Sequence, residues 1–273
     1  MTAASVPDSS GSPGVRQGGY DPASFDHLVR VEDRHFWFRA RNRLLFALSK
    51  RLVASLPPGY RVLEAGCGSG NVLRFIERAC TAGTVIGVDF RMEGLRHARA
   101  RCSCPLVNAD VRTPPFAAGF DLIGIFDVLE HLPDDLDALR DLKALLNPGG
   151  RLLLTVPAHQ SLWSCSDETA LHCRRYSSNE MHRKLTAAGY TVEFLTEFMA
   201  CIFPLLWLSR RLMNLRVKNA GRAEAFEVAL GEFRVVPLMN PLLNLLLNLE
   251  ARWVAGGRRL PFGASLLAVA RNG

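Results

Sequence analysis

An α/β fold built on a mostly parallel, doubly wound sheet is what three stretches of this sequence predict. Residues 62–70 read V-L-E-A-G-C-G-S-G, a buried strand running into a glycine turn that opens a helix. Asp89 stands nineteen residues after Gly70, at the end of a second apolar run, Thr84-Val85-Ile86-Gly87-Val88. From there short apolar runs alternate with helix-period segments as far as residue 196, the pattern of successive βα units. Ligands of such sheets gather outside the carboxyl ends of the strands, so Glu64 and Asp89 stand where a nucleoside would bind.

The 273 residues can hold one large domain or a domain with an extension, and 48% hydrophobic content is enough for a real core. A formal charge of +7 favours anionic partners, although the arginines are spread along the chain rather than gathered in a block. Seven cysteines, an odd number without framework spacing, point to a reducing cytoplasm rather than a disulfide scaffold. Cys102, Cys104, Cys165, His172 and Cys173 include no C-x-x-C pair, so no zinc site is expected. No basic-then-apolar leader opens the sequence, and no run of eighteen apolar residues suggests a spanning helix.

Residues 1–19, rich in Ser, Gly, Pro and Ala, are expected to be a disordered tail. Residues 20–58 read as a helical N-terminal cover, with a helix over 22–55 carrying the cluster His35-Phe36-Trp37-Phe38-Arg39-Ala40-Arg41-Asn42-Arg43. Its aromatics can cover a flat ligand while arginines reach an anionic group, or they can pack on the sheet with the arginines in water. In the core, the strand 61–65 ends in a turn where Gly66, Gly68 and Gly70 permit dihedrals closed to other residues and let a ligand lie on bare backbone. A helix at about 70–80, a strand at 84–88, a helix at 91–101 and a strand at 105–109 ending in Asp110 follow. A carboxylate at Asp89 can accept both hydroxyls of a ribose.

The strand 120–126 delivers Asp127-Val128-Leu129-Glu130-His131 to the same edge, where His131 can accept a hydroxyl proton or simply pack the next loop. A helix from Pro133-Asp134-Asp135 to Leu146 leads through Asn147-Pro148-Gly149-Gly150 into a strand at 151–156. The long segment 157–176 is chemically rich, and His159, Asp167 and His172 are expected to line an acceptor pocket. Arg174 and Arg175 would hold an anion or form surface salt bridges. Ser177-Ser178-Asn179-Glu180 is a capping box opening a helix to Ala188, followed by a strand at 190–196. Residues 197–262 form an insert, with Asn240, Asn244, Asn248 and Arg252 recurring on one helical face. It reads either as a peripheral membrane contact through 198–260 or as a cap or dimer contact packed on the core. Residues 263–273 supply the last strand.

The acid-preceded G-x-G-x-G of 64–70 differs from the dinucleotide fingerprint G-x-G-x-x-G. Together with Asp89, Asp110, F-D-V-L-E-H and N-P-G-G, it resembles the class I S-adenosylmethionine-dependent methyltransferases over about residues 60–196. The resemblance implies a seven-stranded, mostly parallel sheet, a helical N-terminal cover closing over the ligands, and residues 59–196 as the core that binds S-adenosylmethionine. It implies cofactor contacts from Glu64, Gly66, Cys67, Gly68, Gly70, Asp89, Phe90, Asp110, Val111, Phe126 and Asp127. Asp110 would take the adenine amino group, and Val111 would give the ring a backbone contact. The segment 159–176 resembles the H-x-x-L-W-x-x-x-D-x-x-x-x-H-x-R-R-Y signature of one bacterial branch of this family, and His131, His159 and His172 are the catalytic candidates. Asp127, Glu130 and His131 resemble the cluster that binds a divalent cation in ubiquinone-type O-methyltransferases. Asp127 stands where Glu is usual, so no metal is expected, with a divalent cation as the lesser alternative. The implied activity is methyl transfer to oxygen of a small or lipid-like acceptor, in the cytoplasm or at the inner face of a membrane. The alternatives are a nucleic-acid or protein methyltransferase and a non-catalytic membrane-surface scaffold. F-D-V-L-E-H in place of an N-P-P-Y type motif argues against a nucleic-acid partner, and a homodimer stays open.

Overall fold

The computed structural model describes residues 28–217, 228, 231 and 239–273. The expected tail 1–19, residues 20–27 of the cover and most of 218–238 in the insert lie outside the described residues. Seven strands form one sheet: β1 (Arg61–Ala65), β2 (Thr84–Asp89), β3 (Leu106–Asn108), β4 (Phe120–Phe126), β5 (Leu146–Pro157), β6 (Tyr190–Phe198) and β7 (Ser265–Asn272). Their order is β3-β2-β1-β4-β5-β7-β6. Pairing is parallel from β3 to β5, and β7 runs antiparallel to both β5 and β6. This is the expected seven-stranded, mostly parallel sheet.

Alternation along each strand splits the core into two layers, because successive side chains leave a strand on opposite faces. Val62, Leu122 and Leu153 pack with Leu44, Leu45 and Leu48 of α1 (Phe36–Val53) and with Leu73 and Ile76 of α2 (Leu73–Ala79). Their chain neighbours Leu63, Ile123 and Leu152 pack on the other face. There they meet Leu139 and Leu142 of α4 (Asp135–Leu145), with Met181 and Leu185 of α6 (Ser178–Ala187) in the same layer. The remaining helices are α3 (Met92–Arg99), α5 (Cys165–Thr169), α7 (Phe203–Val217) and α8 (Met239–Ala255).

Three boundaries differ from expectation. The helix expected from residue 22 is broken: helical residues end at 31, a turn follows, and α1 starts at Phe36, where the His35 ring accepts the Trp37 N–H at 3.3 Å. The N-P-G-G turn is absorbed into β5, where Phe120 pairs with Leu146 and Leu122 with Arg151. Gly150 makes that irregular step feasible, since a Cβ there would lie 2.9 Å from the Asn147 carbonyl oxygen and 3.0 Å from that of Phe120. The segment 157–176 is not plain loop, for it contains a 3-10 turn at Gln160–Leu162 and α5.

The asparagine stripe of the insert faces inward. Asn240 Oδ1 accepts the Phe36 N–H at 2.9 Å, and its amide donates to the Arg34 carbonyl at 3.0 Å. Arg43 donates to Asn244 Oδ1 at 3.0 Å and to Asn248 Oδ1. Thus α8 is clasped to α1 by the polar face of its own 3.6-residue period, leaving Leu242, Leu245 and Leu249 outside.

Candidate functional site

The turns that follow β1, β2 and β4 open at one sheet edge and line a cavity of about 420 Å³. At one end, Gly66 (φ +78°) presses so close to Val128 that a Cβ would meet its side chain at 2.5 Å. Gly68 (φ +50°) has open space where its Cβ would be, so bare backbone faces the cavity. Asp89 is fixed there by accepting the Gly68 and Arg91 N–H groups, each at 2.8 Å. Burial raises its carboxyl against the pull of those two bonds. Burial pushes the Glu64 carboxyl well above the usual range, and its Oε2 has no hydrogen-bond partner among the described residues. An orphaned buried oxygen is costly unless a ligand satisfies it. Phe90 at the rim and buried Val111 supply apolar walls. A diol-bearing nucleoside fits this donor set.

At the other end, His172 points into the cavity from behind α5. Asp167 Oδ1 takes the His172 Nδ1 at 2.9 Å and the Arg175 Nε at 2.7 Å, while its Oδ2 takes Arg210 Nη1 at 3.1 Å. Burial alone would raise the Asp167 carboxyl, but the bonds to His172, Arg175 and Arg210 outweigh it and hold it below the ordinary carboxylate range. An ionised Asp167 fixes the tautomer with the proton on Nδ1 and leaves Nε2 as the acceptor. Nε2 lies 4.0 Å from Glu130 Oε1, wider than a hydrogen bond. Burial, reinforced by the Asp127 charge, pushes the Glu130 carboxyl well above its usual range. His131 stacks edge-on against His172 at 4.7 Å, and burial followed by the His172 charge drives its pKa down to about 3.

The N-terminal segment roofs the cavity. Ser69 of the glycine loop donates to Glu32 at 2.7 Å, Arg101 pairs with the same carboxylate, and Asn42 donates to Asn71 at 2.6 Å. Arg41 lies over the Trp37 and Phe38 rings at 4.7 and 5.4 Å and reaches Asp127 Oδ2 at 2.6 Å. Phe36, Trp37, Phe38 and Arg41 of this one helix line the cavity, while Phe36 and Trp37 also pack on the core layer and Arg41 is held by Asp127.

The sequence model of the family described as “Methyltransferase domain” matches residues 36–194, more than half of the chain. This chain belongs to that methyltransferase family. The protein named “Probable S-adenosylmethionine-dependent methyltransferase” from Mycolicibacterium smegmatis is 31% identical over 172 residues, which are 60% of this chain and 62% of that protein. A ubiquinone biosynthesis O-methyltransferase from Actinobacillus pleuropneumoniae is 34% identical over 108 residues, 36% of this chain and 45% of the relative. The chain thus spans about six tenths or less of the length of these curated relatives. Among solved structures, the plantazolicin methyltransferase BpumL in complex with SAH is 13% identical, covers 92% of this chain and 90% of its own, and superposes with a TM-score of 0.58. That likeness shows the shared fold.

Within this methyltransferase-family chain, Glu64, Gly66, Cys67, Gly68, Asp89, Phe90, Asp110, Val111, Phe126, Asp127, His131 and His172 all line the cavity. Gly70 and His159 do not. Gly70 (φ +75°) turns away to pack on α3, where a Cβ would lie 2.9 Å from Ala98, so its role is close helix packing. His159 (φ +58°) bonds Glu197 at 2.7 Å and lies against the Phe203 ring at 5.5 Å. Asp110 is gripped by Arg112 through contacts of 2.6–3.1 Å, which lower its carboxyl and occupy oxygens expected to face adenine. Asp167 lies behind His172 rather than on the wall, and Arg175 is a buried partner of Asp167 rather than a surface ion pair. Glu130, His131 and His172 bring three ligand-capable atoms within 4.8 Å of one another, whereas Asp127 of the expected cation cluster is bridged to Arg41. Sequence reasoning missed Ser69 and Asn71, although the glycine loop itself carries them, and it missed Ser265 and the inward Arg210, which tertiary packing places.

Proposed function

We propose that this chain binds S-adenosylmethionine between the glycine loop and Asp89 and transfers its methyl group to an oxygen of a small or lipid-like acceptor. The observation that carries the reading is one cavity joining that loop to an Asp167-oriented His172. When bound, S-adenosylmethionine supplies an electrophilic methyl on a sulfonium. Asp89 accepts the ribose hydroxyls on its remaining lone pairs, and the Glu64 oxygen gains a polar partner. His172 Nε2 takes the proton from the acceptor O–H as the oxygen–methyl bond forms and the carbon–sulfur bond breaks. Asp167 holds the imidazole in the competent tautomer and offsets the charge that develops on it. His131, held neutral far below its ordinary pKa, is a weak base and packs His172 in place. The wall of Phe36, Trp37, Ile202 and Leu206 suits an acceptor with an apolar body. Most of the acceleration then comes from holding the two reacting centres in near-attack geometry.

No step of this scheme uses a metal, since His172 Nε2 takes the proton while Asp167 holds Nδ1. Calorimetry with S-adenosylmethionine, followed by transfer from labelled donor to a panel of hydroxyl and carboxyl acceptors, tests the proposal. Saturable binding, turnover that survives chelation, and loss of turnover in His172→Ala with binding intact are expected. The absence of saturable binding would overturn it.

A further inference from the structure

The outer faces of α7 and α8 are apolar and exposed. On α8, Leu242, Leu245 and Leu249 are 58%, 57% and 56% exposed and share one face with Trp253, opposite the asparagines that clasp α1. On α7, Leu205, Trp207, Leu208 and Leu212 are exposed as well. The two helices rest on one hydrophobic layer, through Phe203 and Leu206 of α7 and Leu247 and Val254 of α8. Large apolar side chains exposed in series along two helices mark an interaction site.

Charge identifies what it meets. Residues 198–262 contain nine Lys and Arg against four Glu, giving +5 of the chain's +7. Among the described residues of 203–262, Arg211, Arg216, Arg252, Arg258 and Arg259 are exposed, whereas the acid there, Glu250, is buried and accepts the Met199 and Cys201 N–H groups. Each exposed tryptophan carries an arginine over its ring, Arg211 at 5.3 Å from Trp207 and Arg258 at 4.1 Å from Trp253. Tryptophan beside a long cation suits the headgroup zone of a bilayer, where the ring is half wet and the guanidinium reaches phosphate. Two copies meeting through this face would bring like charges together, which disfavours a self-paired dimer. No helix among the described residues is long and apolar enough to cross a membrane.

We infer that this face seats on an anionic phospholipid bilayer, with α7 and α8 lying in its interface. The inner face of α7 offers Leu206 and Arg210 to the cavity, so an acceptor dissolved in the bilayer is one helix away from His172. That access route rests on the methyl-transfer reading, whereas the docking does not.

Vesicle flotation of the full chain tests it, using phosphatidylcholine alone and phosphatidylcholine mixed with phosphatidylglycerol. Binding to the anionic vesicles should exceed binding to neutral ones by at least roughly tenfold and weaken with salt. Leu245→Glu with Leu249→Glu should abolish flotation. Arg211→Gln with Arg258→Gln should remove the anionic preference without inserting charge into the apolar face. Calorimetry with S-adenosylmethionine on the same variants checks their fold and separates the two ideas: a chain that floats without binding it retains docking and loses the activity. The inference is overturned if the chain floats with neither vesicle, or if both double variants float like the parent. It is also overturned if light scattering finds a dimer that Leu245→Glu with Leu249→Glu splits while no vesicle binding is seen.

Discussion

Asp167 receives an imidazole and two guanidinium groups on two oxygens, and its removal should therefore do more than delete one bond. In Asp167→Asn, His172 loses the acceptor that selects its tautomer. Turnover should fall by roughly 10²–10⁴-fold, while affinity for S-adenosylmethionine stays near the parent value. A pH–rate profile, moved in this variant, distinguishes orientation of His172 from mere structural support. Asp89→Ala should act in reverse, weakening cofactor binding at least about tenfold, the loss of one to two hydrogen bonds to a charged group, as calorimetry would show. His131 gives a stability prediction whose sign is fixed by its lowered pKa. The folded chain keeps it neutral down to about pH 3, whereas the unfolded chain takes up a proton below about 6.5. The unfolded state then binds more protons, so its contribution is complete above 6.5 and is lost as pH falls toward 3. Urea midpoints at neutral and acid pH should fall less in His131→Asn than in the parent. The raised carboxyls of Glu64 and Glu130 work in the opposite sense, losing stability as pH rises through their folded pKa values, and are common to both proteins.

Among the elements, the α1–α8 clasp is the one on which both the roof and the exposed face depend. Arg43→Ala strands Asn244 and Asn248 at that joint and should cost about 1–3 kcal/mol, with hydrogen exchange rising in α8 ahead of the sheet. Gly70→Ala attacks a different joint, the approach of the glycine loop to α3. A positive φ costs a non-glycine residue about 1–3 kcal/mol, and the contact with Ala98 adds to that. The variant should melt earlier yet, where folded, bind S-adenosylmethionine as before. The sequence showed a glycine at residue 70 but not which way the turn would aim it. Likewise it showed Asn240, Asn244 and Asn248 on one face of α8, but not that their partners would lie about two hundred positions earlier.

Across the whole molecule, what could be read in advance follows a physical division. Sheet strands were legible because the alternation of Val62 with Leu63, or Leu152 with Leu153, is a local pattern that separates two layers wherever the strand is buried. Asp89 and Glu64 were legible because a ligand edge comes with the sheet. Arg210 was not, since its pairing with Asp167 spans 43 positions and no local spacing encodes an inward turn. His159 was misplaced for the same reason, its ring being claimed by Glu197 and Phe203. The position of β7 bears on how the chain is made. It lies between β5 and β6, and those two strands share no ladder of their own. Without residues 265–272, β6 has no neighbour in the sheet and β5 has an unpaired edge. Such edges recruit other chains. A polypeptide that stops short of residue 265 therefore carries an unpaired apolar edge, and the arrival of residues 265–272 is the event that closes the sheet.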